Sequence, residues 1–243
     1  MNDDTVVVLP LGAHEQHGPH LPFETDALIA EGICARLSGT DLHVLPVEPV
    51  GYSPEHMDFP GSRTLRVDEA VERWIRIGLD CADQGARRIV FMNAHGGNVP
   101  LVQIVCQELR ARAGMLAVAT KWDRFVKGAG IVSADEAALG VHGGEIETAV
   151  MLALHPDKVD MTKAADFPNL QSIFTGHLSA YGPHAFGWMA QDLNPHGVTG
   201  NAAAATAETG ERLIALSVEG LNALCKEVAS FDLALLRAAP DLS

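Results

Sequence analysis

Thr5-Val6-Val7-Val8-Leu9-Pro10, followed one residue later by Gly12-Ala13-His14-Glu15-Gln16-His17-Gly18-Pro19-His20-Leu21-Pro22-Phe23-Glu24-Thr25-Asp26, sets both the fold class and the chemistry of this chain. The first run is continuous and rich in β-branched residues, as in a strand buried on both faces of a parallel sheet. The second crowds carboxylates and imidazoles into the loop beyond the strand's carboxyl end, which is where open α/β sheets bind ligands. Glu15 and His17 are close enough in sequence to act together. Asp26 returns at the start of the next helix, with Thr25 as its expected N-cap. Oxygen and imidazole ligands without thiolates suit zinc, manganese or iron(II). The loop reads as half of a metal site.

Working outward, strands and helices alternate. Asp26 to Leu37 is spaced as a helix and Leu42 to Val47 as a second strand. Residues 50–65 are rich in Gly and Pro and form a long loop, a length that points to function. Asp68 to Asp83 reads as a helix with acidic residues in its first turn, favourable to the helix dipole. Arg87 to Asn93 is a third strand. Ala94-His95-Gly96-Gly97-Asn98 is the tight loop after it, and Asn98 is placed to cap a helix from Val99 to Arg112. A fourth strand, Met115 to Thr120, leads into Lys121-Trp122-Asp123. A helix is expected from near Gly144 through Ile146 to Leu154, a loop over 166–191, and a long helix from Ala202 to about Ala229. This order predicts a single three-layer α/β/α domain, residues 1–243, with a largely parallel central sheet.

Composition narrows the function classes. The formal charge of −14 over 243 residues argues against a nucleic-acid or anionic-membrane partner, since both need clustered Lys and Arg. No apolar run reaches the length of a bilayer span, and Met1-Asn2-Asp3-Asp4 lacks the basic start of a signal peptide, so the expected location is cytoplasmic. Cys34, Cys81, Cys106 and Cys225 are scattered within helical patterns and read as small core residues.

Two further clusters join the first. His95 occupies the same topological position as the opening motif, so right-handed crossovers bring the two loops to one edge of the sheet. Val141-His142-Gly143-Gly144-Glu145-Ile146-Glu147-Thr148 sets a histidine and two carboxylates at a helix start. Acidic residues are favoured there for dipole reasons alone, which gives Glu147 a purely structural alternative. His142 and Glu145 are the stronger pair. His14, His20 and His56 are candidates to line the entrance.

The three clusters, with Asp58-Phe59-Pro60-Gly61-Ser62 and Gly197-Val198-Thr199-Gly200 in the same order, resemble the creatininase (creatinine amidohydrolase) family across nearly the whole chain. The resemblance implies a creatininase-like α/β hydrolase with two divalent metals, zinc first with manganese or iron as alternatives. It also implies a small-molecule amide substrate and a homo-oligomer, a hexamer in the family. Carried over by position, Glu15 and His95 hold one metal, His17 the other, and Asp26 bridges them. Creatininase proper has a glutamate two residues after the histidine matching His95, with a tyrosine between. Here those positions are Gly97 and Gly96, and Glu145 is the expected replacement ligand, as in the family's HGGN-type branch. His142 matches the histidine that passes protons at the amide, with Glu147 beside it. Trp122 matches one of two tryptophans that cover creatinine and the other falls at Ala138, so Trp122 and His56 are the pocket candidates. The bond expected to be cut is a cyclic amide or a formamide, by water activated between two metals. Alternatives are a mycofactocin-type peptidase of the same family, a non-catalytic metal-stabilised oligomeric binding protein, or a metal-free binding module.

Overall fold

The structure, a computed structural model, describes residues 1–39, 41–126 and 129–236. Its elements run β1 (Val6–Leu11), α1 (Thr25–Cys34), β2 (Leu42–Val44), α2 (Val67–Asp83), β3 (Arg88–Asn93), α3 (Val99–Ala113), β4 (Leu116–Lys121), α4 (Ala134–Leu139), α5 (Glu145–Leu154), β5 (Asp166–Phe167), α6 (Ala190–Leu193), β6 (Gly200–Asn201) and α7 (Ala207–Ser230). Strands β2, β1, β3 and β4 form one sheet in that order, every pair parallel.

Side-chain alternation divides the core into two layers. Val6, Val8, Val90 and Met92 face one way and pack with residues of α1, α5 and α7. Val7, Leu9, Leu11, Ile89 and Phe91 face the other, against Trp74 and Ile75 of α2 and Val102, Val105 and Leu109 of α3. Both central strands are buried along their whole length, hence the unbroken apolar runs Val6–Leu11 and Ile89–Met92. The expected three-layer α/β/α arrangement is the one observed. All four cysteines are free, and Cys34, Cys81 and Cys225 lie in the core. No helix among the described residues is long and apolar enough to cross a membrane.

The order β2-β1-β3-β4 reverses between β1 and β3, the crevice where doubly wound sheets take ligands. Here the two strands end level, Leu11 opposite Asn93. The Ala94 N–H still donates to the Leu11 carbonyl at 2.8 Å, so the loops carrying Glu15 and His95 leave side by side. Gly12 makes the next approach possible: a Cβ there would lie 2.5 Å from Ala27 Cα, so only glycine lets α1 come this close.

Several local expectations are revised. Thr25 does not cap α1; it is the helix's first residue, and its hydroxyl donates to the Pro22 carbonyl at 2.7 Å. Asn98 precedes α3 but its amide does not cap the helix. It accepts from Tyr52 N at 2.9 Å and donates to the Gly12 carbonyl and Asn93 Oδ1, both at 3.0 Å. Strand β2 stops at Val44, and the long helix begins at Ala207, where the Thr206 hydroxyl accepts from Thr209 N at 3.1 Å. Ala202 is drawn instead into a small separate core with Phe167 and Val198. Helix α4 was not expected, though Ser133-Ala134-Asp135-Glu136 has the spacing of a helix start and Ser133 Oγ caps it.

Asn98 thus ties the ends of β1 and β3 to the 50–65 loop. Replacing it by Ala leaves the Gly12 carbonyl and the Tyr52 N–H without this partner at about 1–3 kcal/mol each, so Asn98→Ala should lose roughly 2–6 kcal/mol, measurable by urea unfolding.

Candidate metal centre

Glu15, His17, Asp26 and His95 converge at the β1/β3 crevice, each essentially removed from solvent. Asp26 lies at their centre. Its Oδ1 is 3.4 Å from His17 Nε2 and its Oδ2 is 3.4 Å from His95 Nδ1, one oxygen for each histidine. Glu15 Oε1 stands 3.1 Å from His95 Nδ1.

The far nitrogen of each ring fixes its tautomer. His17 Nδ1 lies 3.0 Å from the Glu15 carbonyl, and His95 Nε2 lies 2.9 Å from the Tyr52 carbonyl. A carbonyl can only accept, so each of these nitrogens is the donor. His17 Nε2 and His95 Nδ1 are left as lone pairs aimed inward, as metal-bound imidazoles are oriented.

Glu147, on α5, completes the cluster. Its Oε2 is 3.9 Å from His17 Nε2 and accepts the Gly143 N–H at 2.7 Å. Glu145 does not join it. Residues two apart on an α-helix point about 200° from one another, so Glu145 leaves α5 on the side away from Glu147. The Glu145 N–H instead donates at 2.8 Å to Glu136, a buried carboxylate that also accepts the Asn201 N–H. The carboxylates whose oxygens converge on His17 Nε2 are those of Asp26 and Glu147, and Glu145, expected beside His17 as a ligand, is not among them. His142 is held differently: its Nε2–H donates to the Gln16 carbonyl at 2.7 Å, and its ring lies between His17 and His56 with centroids 4.2 and 4.3 Å away. Its Nδ1 is then free and faces Glu15 Oε1 at 3.6 Å.

His56 lies inside the cluster rather than at its entrance. Gln16 Oε1 accepts the Gly18 N–H, so the amide nitrogen donates, to the Gly197 carbonyl at 2.6 Å and to His56 Nδ1 at 3.0 Å. The His56 proton therefore sits on Nε2, 3.4 Å from Glu15 Oε1. Trp122 is buried at the end of β4. His20 is buried against Thr148, and His14 stacks on Phe23; neither belongs to the groups of converging ligand atoms. Sequence reasoning passed over Gln16, Glu136 and Glu55. Glu55 Oε1 is 3.6 Å from His95 Nε2, and its place in the long loop beside His56 was the available signal. Gly97 is also required: a Cβ there would lie 2.3 Å from the Tyr52 carbonyl oxygen and 2.5 Å from His95 Nε2.

Two groups of potential ligands share Asp26: Glu15, Asp26 and His95, and His17, Asp26 and Glu147, with the ligand atoms of each group within 4.8 Å of one another. Both Glu15 oxygens, His17 Nε2 and Asp26 Oδ2 are buried with no hydrogen-bond partner. Native proteins rarely leave buried polar atoms so, and four at one point fit a cation that would engage all of them.

The electrostatics match. Burial pushes Glu15 up, but the surrounding His95 and His56 outweigh it and hold the carboxyl well below its usual value. Burial disfavours charge on His17, yet Asp26 raises it to about 9, and Glu15 with Asp26 likewise lifts His95 well above the usual imidazole value. Glu147 is raised to about 7 by burial. Burial, with His17 and His56 nearby, drives His142 well down, and burial takes His56 to about 4. The carboxylates thus favour positive charge at His17 and His95, which is what a cation bound to their inward nitrogens would supply.

The creatinine amidohydrolase (creatininase) family profile matches residues 1–225. The chain belongs to the creatininase family. It is 31% identical over 247 residues to creatinine amidohydrolase of Pseudomonas putida, covering 92% of this chain and 90% of that one. It is 30% identical over 222 residues to the mycofactocin precursor peptide peptidase of Mycolicibacterium smegmatis, covering 88% and 82%. A mutant creatininase superposes with a TM-score of 0.77 at 29% identity over 94% of this chain and 92% of that one. A creatininase described as its manganese form gives 0.74 at 27% identity over the same shares.

A group whose folded pKa is raised stabilises the fold below its unfolded value and loses that effect as pH climbs through the folded one. For His17 that window runs from 6.5 to about 9. The melting temperature of protein held in chelator should therefore fall from pH 7 to pH 9, and Asp26→Asn should flatten the slope by removing the facing carboxylate.

Proposed function

We propose that this chain is a metal-dependent hydrolase of carbon–nitrogen bonds in a cyclic amide or a formamide, working at a dinuclear centre. The observation that carries the reading is Asp26, whose two oxygens each face a histidine with its outer nitrogen tied to a carbonyl. Glu15, His95 and Asp26 would hold one divalent cation, and His17, Asp26 and Glu147 the other. Bound there, such cations supply Lewis acidity, lowering the pKa of water and polarising an amide carbonyl. Zinc is the first expectation, with manganese or iron as alternatives.

The chain's own groups handle the protons. His142 is neutral at rest, because burial keeps its pKa low, and its Nε2–H is committed to Gln16. Nδ1 is therefore the atom that takes a proton from the attacking water and returns it to the leaving nitrogen. The neighbouring His17 and His56 rings hold the imidazole in place. The His56 Nε2–H faces Glu15 Oε1 at 3.4 Å and favours the charged carboxylate electrostatically. A ligand set of carboxylates and imidazoles without cysteine favours catalysis over a structural, oligomer-stabilising metal.

A second reading keeps the same centre and changes the substrate. The mycofactocin peptidases are as similar in identity as the creatinine amidohydrolase, which supports a peptide amide as the bond cut.

Elemental analysis of protein purified without chelator should find two cations per chain, falling to about one in Glu147→Gln and unchanged in Glu145→Gln. A fall in Glu145→Gln alone would reverse the assignment, and a metal-free wild type would overturn the reading. On a hydrolysed amide, His142→Ala should lose roughly 10²–10⁴-fold in rate with its metal retained. Unchanged turnover would remove it from the chemistry.

A further inference from the structure

We propose that the amide substrate of this centre carries an uncharged apolar arm, and that a cavity beside Glu147 receives it. The inference rests on the hydrolase reading above. The cavity, about 340 Å³, starts at Glu147 and Gly144 and runs past Trp122 at the end of β4. Val126, Ile131, Val132, Ala137, Ile146 and Leu213 also line it. Its size falls at the lower end of the range that encloses most of a drug-sized ligand.

The charged side chains and the serine around it already have partners. Lys121 Nζ is 3.3 Å from Asp123 Oδ2, so the two charges answer each other. Ser133 Oγ accepts the Glu136 N–H at the start of α4. Glu147 accepts from Gly143 and faces His17. Nothing in this wall calls for a charged group, while its aliphatic side chains reward an apolar one. A compact polar ring at the centre would leave them uncovered. Each methylene taken out of water is worth about fourfold in affinity. Glu147 is common to the cavity and the metal cluster, so an arm lying here would extend directly from an amide held over Asp26.

Hydroxamic acids chelate divalent cations whatever a protein's natural substrate, so they probe the cavity without knowledge of it. Acetohydroxamic and hexanohydroxamic acid are titrated calorimetrically into the metal-loaded full-length protein, with metal content measured on the same sample. The expected result is that the longer acid binds at least about tenfold more tightly, and that Ala137→Phe, which puts a ring into the cavity, shrinks the ratio to below about threefold. Equal affinities in the wild type would overturn the apolar arm and leave the metal centre standing. A tenfold gain that survives Ala137→Phe would also overturn it, because the tail would then lie elsewhere. Binding of neither acid, or protein without metal, would sink the arm together with the hydrolase reading. If Ala137→Phe does not fold, the wild-type comparison decides alone.

Discussion

Everything at the site follows from β1 and β3 being parallel neighbours that end at the same level. Because Leu11 stands opposite Asn93, the chain leaves both strands from one point, and two loops distant in sequence begin within hydrogen-bonding distance. Strand β2 pairs on the far side of β1 and β4 on the far side of β3, so this is where the crossover connections diverge and a crevice opens. The Asn98 amide closes the arrangement by holding the Gly12 carbonyl, the Asn93 side chain and the Tyr52 N–H at once. Tyr52 in turn supplies the carbonyl that orients His95. A buried amide some distance from the converging carboxylates thus sets the ring angle of His95.

Concentrating Glu15, Asp26, His17, His95, His142 and His56 in a space shielded from water opposes folding unless charge is balanced locally. The chain alternates acids and imidazoles so that each carboxylate meets a histidine, and turns the outer nitrogens of His17, His95 and His142 onto backbone carbonyls. Protons can satisfy such a cluster, as can cations. The division of roles follows from surroundings rather than residue type. His17 and His95 lie against carboxylates and favour positive charge, whereas His142, between two other imidazoles, stays neutral and can move a proton.

The layer order and the core were legible in the sequence because they rest on periodicity: unbroken apolar runs for β1 and β3, helical spacing for α1, α2 and α3. The positions of Glu15, His17, Asp26 and His95 were legible because each sits just past the end of a strand or at the start of a helix. What was not legible was phase. Glu145 and Glu147 are equivalent as letters near a helix start, and only the rotation of α5, fixed by its packing on α1 and α7, decides which one faces His17. Asn98 misled for a related reason. It stands where a cap belongs, but two long-range partners, Gly12 and Tyr52, together with Asn93 outbid the local one. Glu136 and α4 went unnoticed because a short polar helix carries little periodicity, and Glu136's partners lie 9 and 65 residues away.

Gly97 carries a consequence for how this site can change. Any side chain there would begin within 2.5 Å of His95 Nε2 and of the Tyr52 carbonyl, with Glu55 close behind. A side chain at this position can enter only if the 52–55 segment first withdraws, and that segment carries the carbonyl that orients His95. A substitution here is therefore a backbone event before it is a side-chain one, and it reaches the imidazole through the main chain of a different loop.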